Sequence, residues 1–194
     1  MNKLTVKDYF KTRDAFWSAE VFDKEEDKRE LKQKVLAYND ELVEKYPFLE
    51  SRNVWDDTPP EDNLSTWLDD MPDGWRIAFG NEMCEEIKQA LLAEGGEKML
   101  NEYRLHQIKE KWGMLRIYSA WTTDKVEEVI SKYEDLSWNT CIKCGKPSKY
   151  YTTGWIAPYC EECTEMIWNG YLERNPNMNF KTIFNDITDE WGKI

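Results

Sequence analysis

Histidine is nearly absent from this chain of 194 residues: His106 is the only one. One imidazole leaves no room for the two-histidine metal motifs, and neither H-x-E nor H-E-x-x-H occurs. G-x-S-x-G is missing, as is any glycine-rich phosphate loop. The common signatures of zinc proteases, serine hydrolases and P-loop enzymes are therefore excluded. No apolar run approaches the length of a membrane span, and Met1 to Asp8 lack the apolar centre of a signal peptide. Repeats and low-complexity tracts are also lacking. An apolar fraction of 41% with 14% aromatics is enough for a packed core, which excludes wholesale disorder.

Cysteine is present in a pattern. Cys141-Ile-Lys-Cys144 and Cys160-Glu-Glu-Cys163 are two C-x-x-C pairs with fifteen residues between them. That spacing suits a four-thiolate zinc site, because two short turns can each aim two sulfurs at one metal about 2.3 Å away. A disulfide would need an oxidising compartment, and a redox centre would need only one of the pairs. One structural zinc is expected, since four thiolates leave the coordination shell closed to chemistry. Lys143, Lys146 and Lys149 lie close to the cluster; they either offset its negative charge or contact phosphate. The fifth cysteine, Cys84, falls on an apolar helix face and reads as a buried, unreactive thiol. Together these features point to a reducing cytoplasm.

The net charge of −12 is unevenly spread. Residues 61–102 hold eleven Asp and Glu against three Lys and Arg, whereas residues 103–120 hold four Lys and Arg against Glu110 alone. The acidic stretch is either a solvated helix face or a surface offered to a basic partner, and it would repel nucleic-acid phosphates.

Apolar periodicity gives the elements. Thr5 with Asp8 makes a capping box, and Val6, Tyr9, Phe10, Phe16 and Trp17 recur at helical intervals. After a charged run from Lys24 to Glu30, Leu31, Val35, Tyr38, Leu42 and Tyr46 form the stripe of a second helix ended by Pro47. A third helix starts at an Asp73 N-cap, carries Trp75, Phe79, Met83, Ile87 and Leu91 every four residues, and closes at Gly95-Gly96. Residues 103–110 and 114–120 read as a hairpin turning at Lys111-Trp112-Gly113. A helix capped by Asp124 and Glu127 runs to Leu136. Beyond it come a first knuckle at Cys141 to Gly145, a hairpin across Thr153-Gly154, and a helix opening at Cys160. Phe180, Ile183, Phe184, Ile187 and Trp191 suggest a final amphipathic helix. Knuckle, hairpin and ligand-bearing helix in that order resemble a treble-clef zinc finger. The fold class expected is α+β. A mostly helical body with a hairpin at about 103–120 occupies residues 1–138, and a treble-clef-like zinc module with C-terminal helices occupies residues 139–194.

The hairpin is the best candidate for a working surface. If Leu115 and Ile117 face the core, strand alternation brings Gln107, Lys109, Arg116 and Tyr118 to the opposite face, with Lys111 and Trp112 at the turn. Arginine grips phosphate or carboxylate, and an aromatic ring stacks a base. The competing reading pairs these cations with the acidic helices of the same fold. His106 falls on the core side and reads as structural. Glu82, Glu85 and Glu86 are the nearest carboxylates for a magnesium site, and a solvated helix surface is their simpler use. Of the ten tryptophans, Trp17 and Trp75 read as core, while Trp55, Trp112 and Trp155 sit in turns or beside glycine, where exposure would suit an interface.

Gln107 to Tyr118 (Q-I-K-E-K-W-G-M-L-R-I-Y), a helix, and then Ser137-x-x-x-Cys141-x-x-Cys144-Gly145 resemble a widespread group of small proteins encoded by bacteriophages, prophages and some bacteria. The resemblance spans about residues 73–165. It implies a phage or mobile-element accessory protein in the bacterial or phage-infected host cytoplasm, and it carries over no catalytic residue. Three functions follow in order. The first is a non-enzymatic zinc-containing binding protein acting on a host protein. The second is a nucleic-acid or nucleotide binder using the hairpin face, and the third is a metal-dependent enzyme.

Overall fold

The structure, a computed structural model, describes residues 4–21 and 25–187. Lys24 and Trp191 lie outside the described residues. α1 (Val6–Val21) opens as its capping box requires: the Asp8 N–H donates to Thr5 Oγ1 (3.2 Å) and the Thr5 hydroxyl to Asp8 Oδ2 (2.6 Å). α2 (Glu25–Lys45) stops just before Pro47, which starts a short 3-10 turn. The two helices bury Tyr9, Phe10, Phe16 and Val35 between them, and Tyr9 stacks on Tyr38 with ring centres 4.2 Å apart. Trp17 departs from expectation and is 48% exposed. Phe16 occupies the inward position, and the next residue lies about 100° further round the helix.

The main core forms around α3 (Asp73–Trp75), a π turn at Arg76–Gly80, and α4 (Asn81–Glu102). Trp75, Phe79, Met83, Ile87 and Leu91 are all buried in it. A stripe of period four drifts round a helix of 3.6 residues per turn, and the wider π turn takes up part of that drift. Asp73 is the first helical residue, not the cap; Pro72 precedes it. Gly96 breaks the α4 ladder at φ 64°, as a glycine can, but the helix resumes to Glu102. Burial of Leu100 and Tyr103 in the same core holds that last turn on. Arg76, itself buried, joins the two clusters: its Nη1 donates to Asp69 Oδ1 (2.7 Å), which also accepts from the Tyr9 hydroxyl (2.9 Å).

β1 (Leu105–Lys111) and β2 (Met114–Ser119) pair antiparallel across Trp112 and Gly113. Both turn residues have positive φ, 59° and 80°, the two-residue geometry whose twist matches the strands. α5 (Asp124–Trp138) is capped one residue earlier than expected, by Thr123, whose Oγ1 accepts from the Val126 N–H (3.3 Å). It lies along the free edge of β2 and supplies the acceptors that edge lacks. Ser137 Oγ takes the Leu115 N–H (2.8 Å) and Glu134 Oε1 takes that of Ile117 (3.0 Å).

The C-terminal part holds β3 (Tyr150–Thr152), β4 (Pro158–Tyr159), α6 (Glu161–Arg174) and β5 (Phe184–Asp186). Knuckle, hairpin and helix follow in the expected order. The expected final helix does not form over 180–187. Phe180–Thr182 is a 3-10 turn, and β5 adds to the outer edge of β3 in a sheet of order β4-β3-β5. Sheet pairing satisfies that edge and buries Phe184, which stacks on Phe180. The chain is α+β, mostly helical with two small antiparallel sheets among the described residues. No helix among them is long and apolar enough to cross a membrane.

Candidate metal centre and the adjoining groove

The first knuckle is a tight turn closed by Cys141 N–H to Lys146 O (2.7 Å) and Gly145 N–H to Cys141 O (3.0 Å), with Gly145 at φ 79°. The second pair sits at the start of α6, where Cys160 is the N-cap and Cys163 lies in the first turn. The four sulfurs of Cys141, Cys144, Cys160 and Cys163 all lie within 4.8 Å of one another, and those of Cys144 and Cys160 are 3.5 Å apart. A tetrahedron with 2.3 Å metal–sulfur bonds has edges of about 3.8 Å, so the cluster has the size of a four-thiolate metal site. Three of the four cysteines are buried. Burial pushes the Cys144 and Cys163 thiols up. The neighbouring sulfurs add to it at Cys163, while at Cys144 Cys160 and Cys141 add to it and the Lys146 backbone N–H and Cys163 oppose it. At Cys141 burial acts the same way, but backbone N–H groups from Cys160, Lys143 and Cys144 outweigh it and hold the thiol below its usual range. Thiolates this close repel one another, and a cation at their centre reverses that. These residues can therefore hold a metal ion.

The lysines around the cluster turn mainly to the acids between its ligands. Lys146 bonds both Glu162 carboxylate oxygens (2.7 and 2.6 Å) and Lys149 bonds Glu161, while Lys143 reaches Met166 Sδ (3.4 Å). Two of the three thus clip the first knuckle to α6. The knuckle is also tied to the helical body through backbone. The Gly74 N–H donates to Ile142 O (2.9 Å) and Trp75 Nε1 to Thr140 O (2.8 Å). Any Cβ on Gly74 would sit 2.3 Å from Cys141 O, and one on Gly145 would sit 2.6 Å from Gly74 O.

The hairpin face divides. Register sets Gln107 opposite Tyr118 and Lys109 opposite Arg116. Lys109 Nζ donates to Gln107 Oε1 (2.6 Å) and lies 5.0 Å over the Tyr118 ring, so these three form one cluster. Arg116 is drawn away: its Nη1 bonds Glu134 Oε2 (3.1 Å) and Leu115 O (2.8 Å). Burial raises the Glu134 carboxyl, against the Ile117 N–H and the Arg116 charge that favour its ionised form. Lys111 is exposed and has no ion-pair partner among the described residues. His106, expected on the core side, is only half-buried. The strand bulges between Leu105 and Gln107, which turns His106 out of the core and toward the 52–57 loop.

At the hairpin tip the structure adds what sequence could not supply. Glu110, Lys111 and Trp112 face Gly154, Trp155 and Ile156 across a groove of about 390 Å³. Trp112 and Trp155 are 74% and 76% exposed. The tip rests on the β3–β4 hairpin and the end of α5, since a Cβ on Gly113 would meet Ile156 Cγ2 at 3.1 Å and Trp138 at 2.9 Å. Both tryptophans sit beside turn glycines, which hints at exposure but not at the groove they share. Glu85 and Glu86 are each paired with a lysine, Lys45 (2.9 Å) and Lys132 (2.7 Å). Among the described residues the four cysteines are the one cluster of metal-ligand type. No protein-family model, curated protein or solved structure matches this chain.

Proposed function

We propose that this chain is a non-enzymatic binding protein, stapled by one structural zinc, that engages another protein through the groove between Trp112 and Trp155. The observation that carries this reading is the pair of largely exposed tryptophans on two hairpin tips that touch each other. An exposed indole is unfavourable in water and valuable in an interface, where tryptophan is among the commonest hot-spot residues. The metal module fixes one tip and the body carries the other, so zinc serves to hold the two indoles in register. The resemblance of residues 73–165 to phage-encoded proteins makes a bacterial host protein, met in the cytoplasm, the natural partner. The test is capture from bacterial lysate by the zinc-loaded chain and by Trp112→Ala with Trp155→Ala. A specific protein held by the former should be lost by the latter, with affinity down at least about 30-fold per hot-spot indole. Retention of the same protein by the double variant, or no specific protein with either, defeats the reading.

The cluster of Gln107, Lys109 and Tyr118, with Lys111 beside the groove, favours a second reading as a nucleic-acid binder. It requires affinity for single-stranded nucleic acid that falls steeply with salt and is lost in Lys109→Ala with Lys111→Ala.

A further inference from the structure

A second, smaller cavity lies far along the chain from the cysteine cluster, where the segment after α2 folds against the strand ends. The 53–58 loop is closed on itself: Asn53 N–H donates to Thr58 O and Asp57 N–H to Asn53 O, each at 2.9 Å. Asp57 completes the turn at φ 56°, in the left-handed region that Asp tolerates better than most residues. Between this loop and the start of β1 is a cavity of about 170 Å³. Arg52, Asp57, Arg104 and His106 form its polar wall, and Val54 and Leu105 part of its apolar wall.

The hydrogen bonds of that wall are unevenly satisfied. Arg52 is fully engaged, through Nε to Asp57 Oδ1 (2.7 Å), Nη1 to Glu50 Oε2 (2.6 Å) and Nη2 to Asp57 O (2.5 Å). Asp57 is thereby neutralised in place, and the Arg52 hydrogen bond holds its carboxyl below the usual range. Arg104 is only half engaged. Its Nη1 bonds Asn101 O (2.5 Å) and Tyr103 O (2.9 Å), but its buried Nε has no acceptor. The nearest carboxylate oxygen, Asp57 Oδ1, is 3.8 Å from that Nε, an ion-pair distance but not a hydrogen bond. The His106 ring, swung out by the β1 bulge, makes no hydrogen bond among the described residues. With Glu50 counted, two carboxylates meet the two guanidinium groups, and what is left without a hydrogen-bond partner among the described residues is the Arg104 Nε donor and the His106 ring beside it.

We propose that this cavity binds a small oxyanion, a carboxylate or phosphate group, gripped by Arg104 and His106 with its apolar remainder against Val54 and Leu105. A guanidinium presents its donors in a planar fork that fits two oxygens of either group, and a buried donor without an acceptor favours any ligand that supplies one. The volume is close to that of an engineered cavity of about 150 Å³ that takes benzene, so the ligand is no larger than a single-ring acid or a short phosphate ester.

The chain's one histidine makes the test direct, because its ring gives a single resolved NMR correlation. The full zinc-loaded protein is titrated with inorganic phosphate, with acetate, and with chloride at matched ionic strength. The expected result is saturable movement of the His106 ring signal with phosphate or acetate, beyond that with chloride, and at least tenfold weaker in Arg104→Gln. Movement equal to that with chloride overturns the proposal. So does unchanged affinity in an Arg104→Gln protein that melts like the wild type. Should Arg104→Gln fold poorly, His106→Gln read by calorimetry takes its place, and undiminished phosphate or acetate binding again overturns it. Trp112→Ala with Trp155→Ala should bind the anion normally, which separates this site from the protein-binding groove.

Discussion

Gly74 and Gly170 are both helical, yet only one of them is needed for its lack of a side chain. A Cβ on Gly74 would lie 2.3 Å from Cys141 O and 2.5 Å from Ile142 O, and both obstacles are backbone. Gly74→Ala should therefore push the first knuckle off the body and cost about 2–3 kcal/mol, typical of overpacking where nothing can yield. Gly170, inside α6, has open space around its Cβ position. Gly170→Ala should stabilise by roughly 0.5–1 kcal/mol through helix propensity alone. Denaturation midpoints of the two variants check the pair, and a neutral Gly74→Ala would refute the close docking. Cys84, one residue after Met83 and three before Ile87, is buried as expected, because the main core covers more of α4 than a single stripe. Helical spacing for Trp17 and strand alternation for His106 both point to the core, and neither residue is buried there. One stands beside a residue that already fills the inward position, and the other stands at a bulge that resets alternation.

At the scale of elements, the β1–β2 hairpin owes its free edge to α5. Ser137 Oγ and Glu134 Oε1 accept the N–H groups of Leu115 and Ile117, which would otherwise face a helix without partners. Ser137→Ala should leave the buried Leu115 N–H unsatisfied and cost about 1–3 kcal/mol. Glu134→Ala should cost a similar amount, since it also abandons Arg116, whereas Glu134→Gln keeps one acceptor and should lose less than half as much. Urea unfolding of the three variants tests this, and equal losses for Ala and Gln at Glu134 would contradict the edge-capping role. Neither residue stood out as a strand partner in the sequence, because nothing local says which strand edge a helix will cover. The end of the chain shows the same effect in reverse. Phe180, Ile183, Phe184 and Ile187 have helical spacing, but the open edge of β3 offers the three residues Phe184–Asp186 a ladder and Phe184 a buried place. Tertiary pairing overrides a short local pattern.

For the whole molecule, the metal module and the helical body should behave differently toward chelation. With metal bound, a thiol reagent at pH 8 should find no reactive cysteine. After chelation the four cluster thiols should react, while Cys84 stays silent until the body itself unfolds. Burial gives Cys84 that protection and pushes its thiol to about 12, so it remains protonated at pH 8. Counting modified thiols by mass spectrometry decides it: four reactive thiols in metal-replete protein would refute the metal centre, and five after chelation would refute the separate body. The pairing of the four cysteines into one cluster, the hairpin turn, most of the helices and the α+β class were determined by sequence alone. Each rests on spacing over a few residues or on one apolar period. The groove that Trp112 and Trp155 share, the withdrawal of Arg116 to Glu134, the seat of the knuckle on Gly74 and the cavity around Arg104 were decided only by the tertiary structure. Each joins segments tens of residues apart or more, or turns on which of several acids a cation reaches first, and such contacts are set by packing the whole chain.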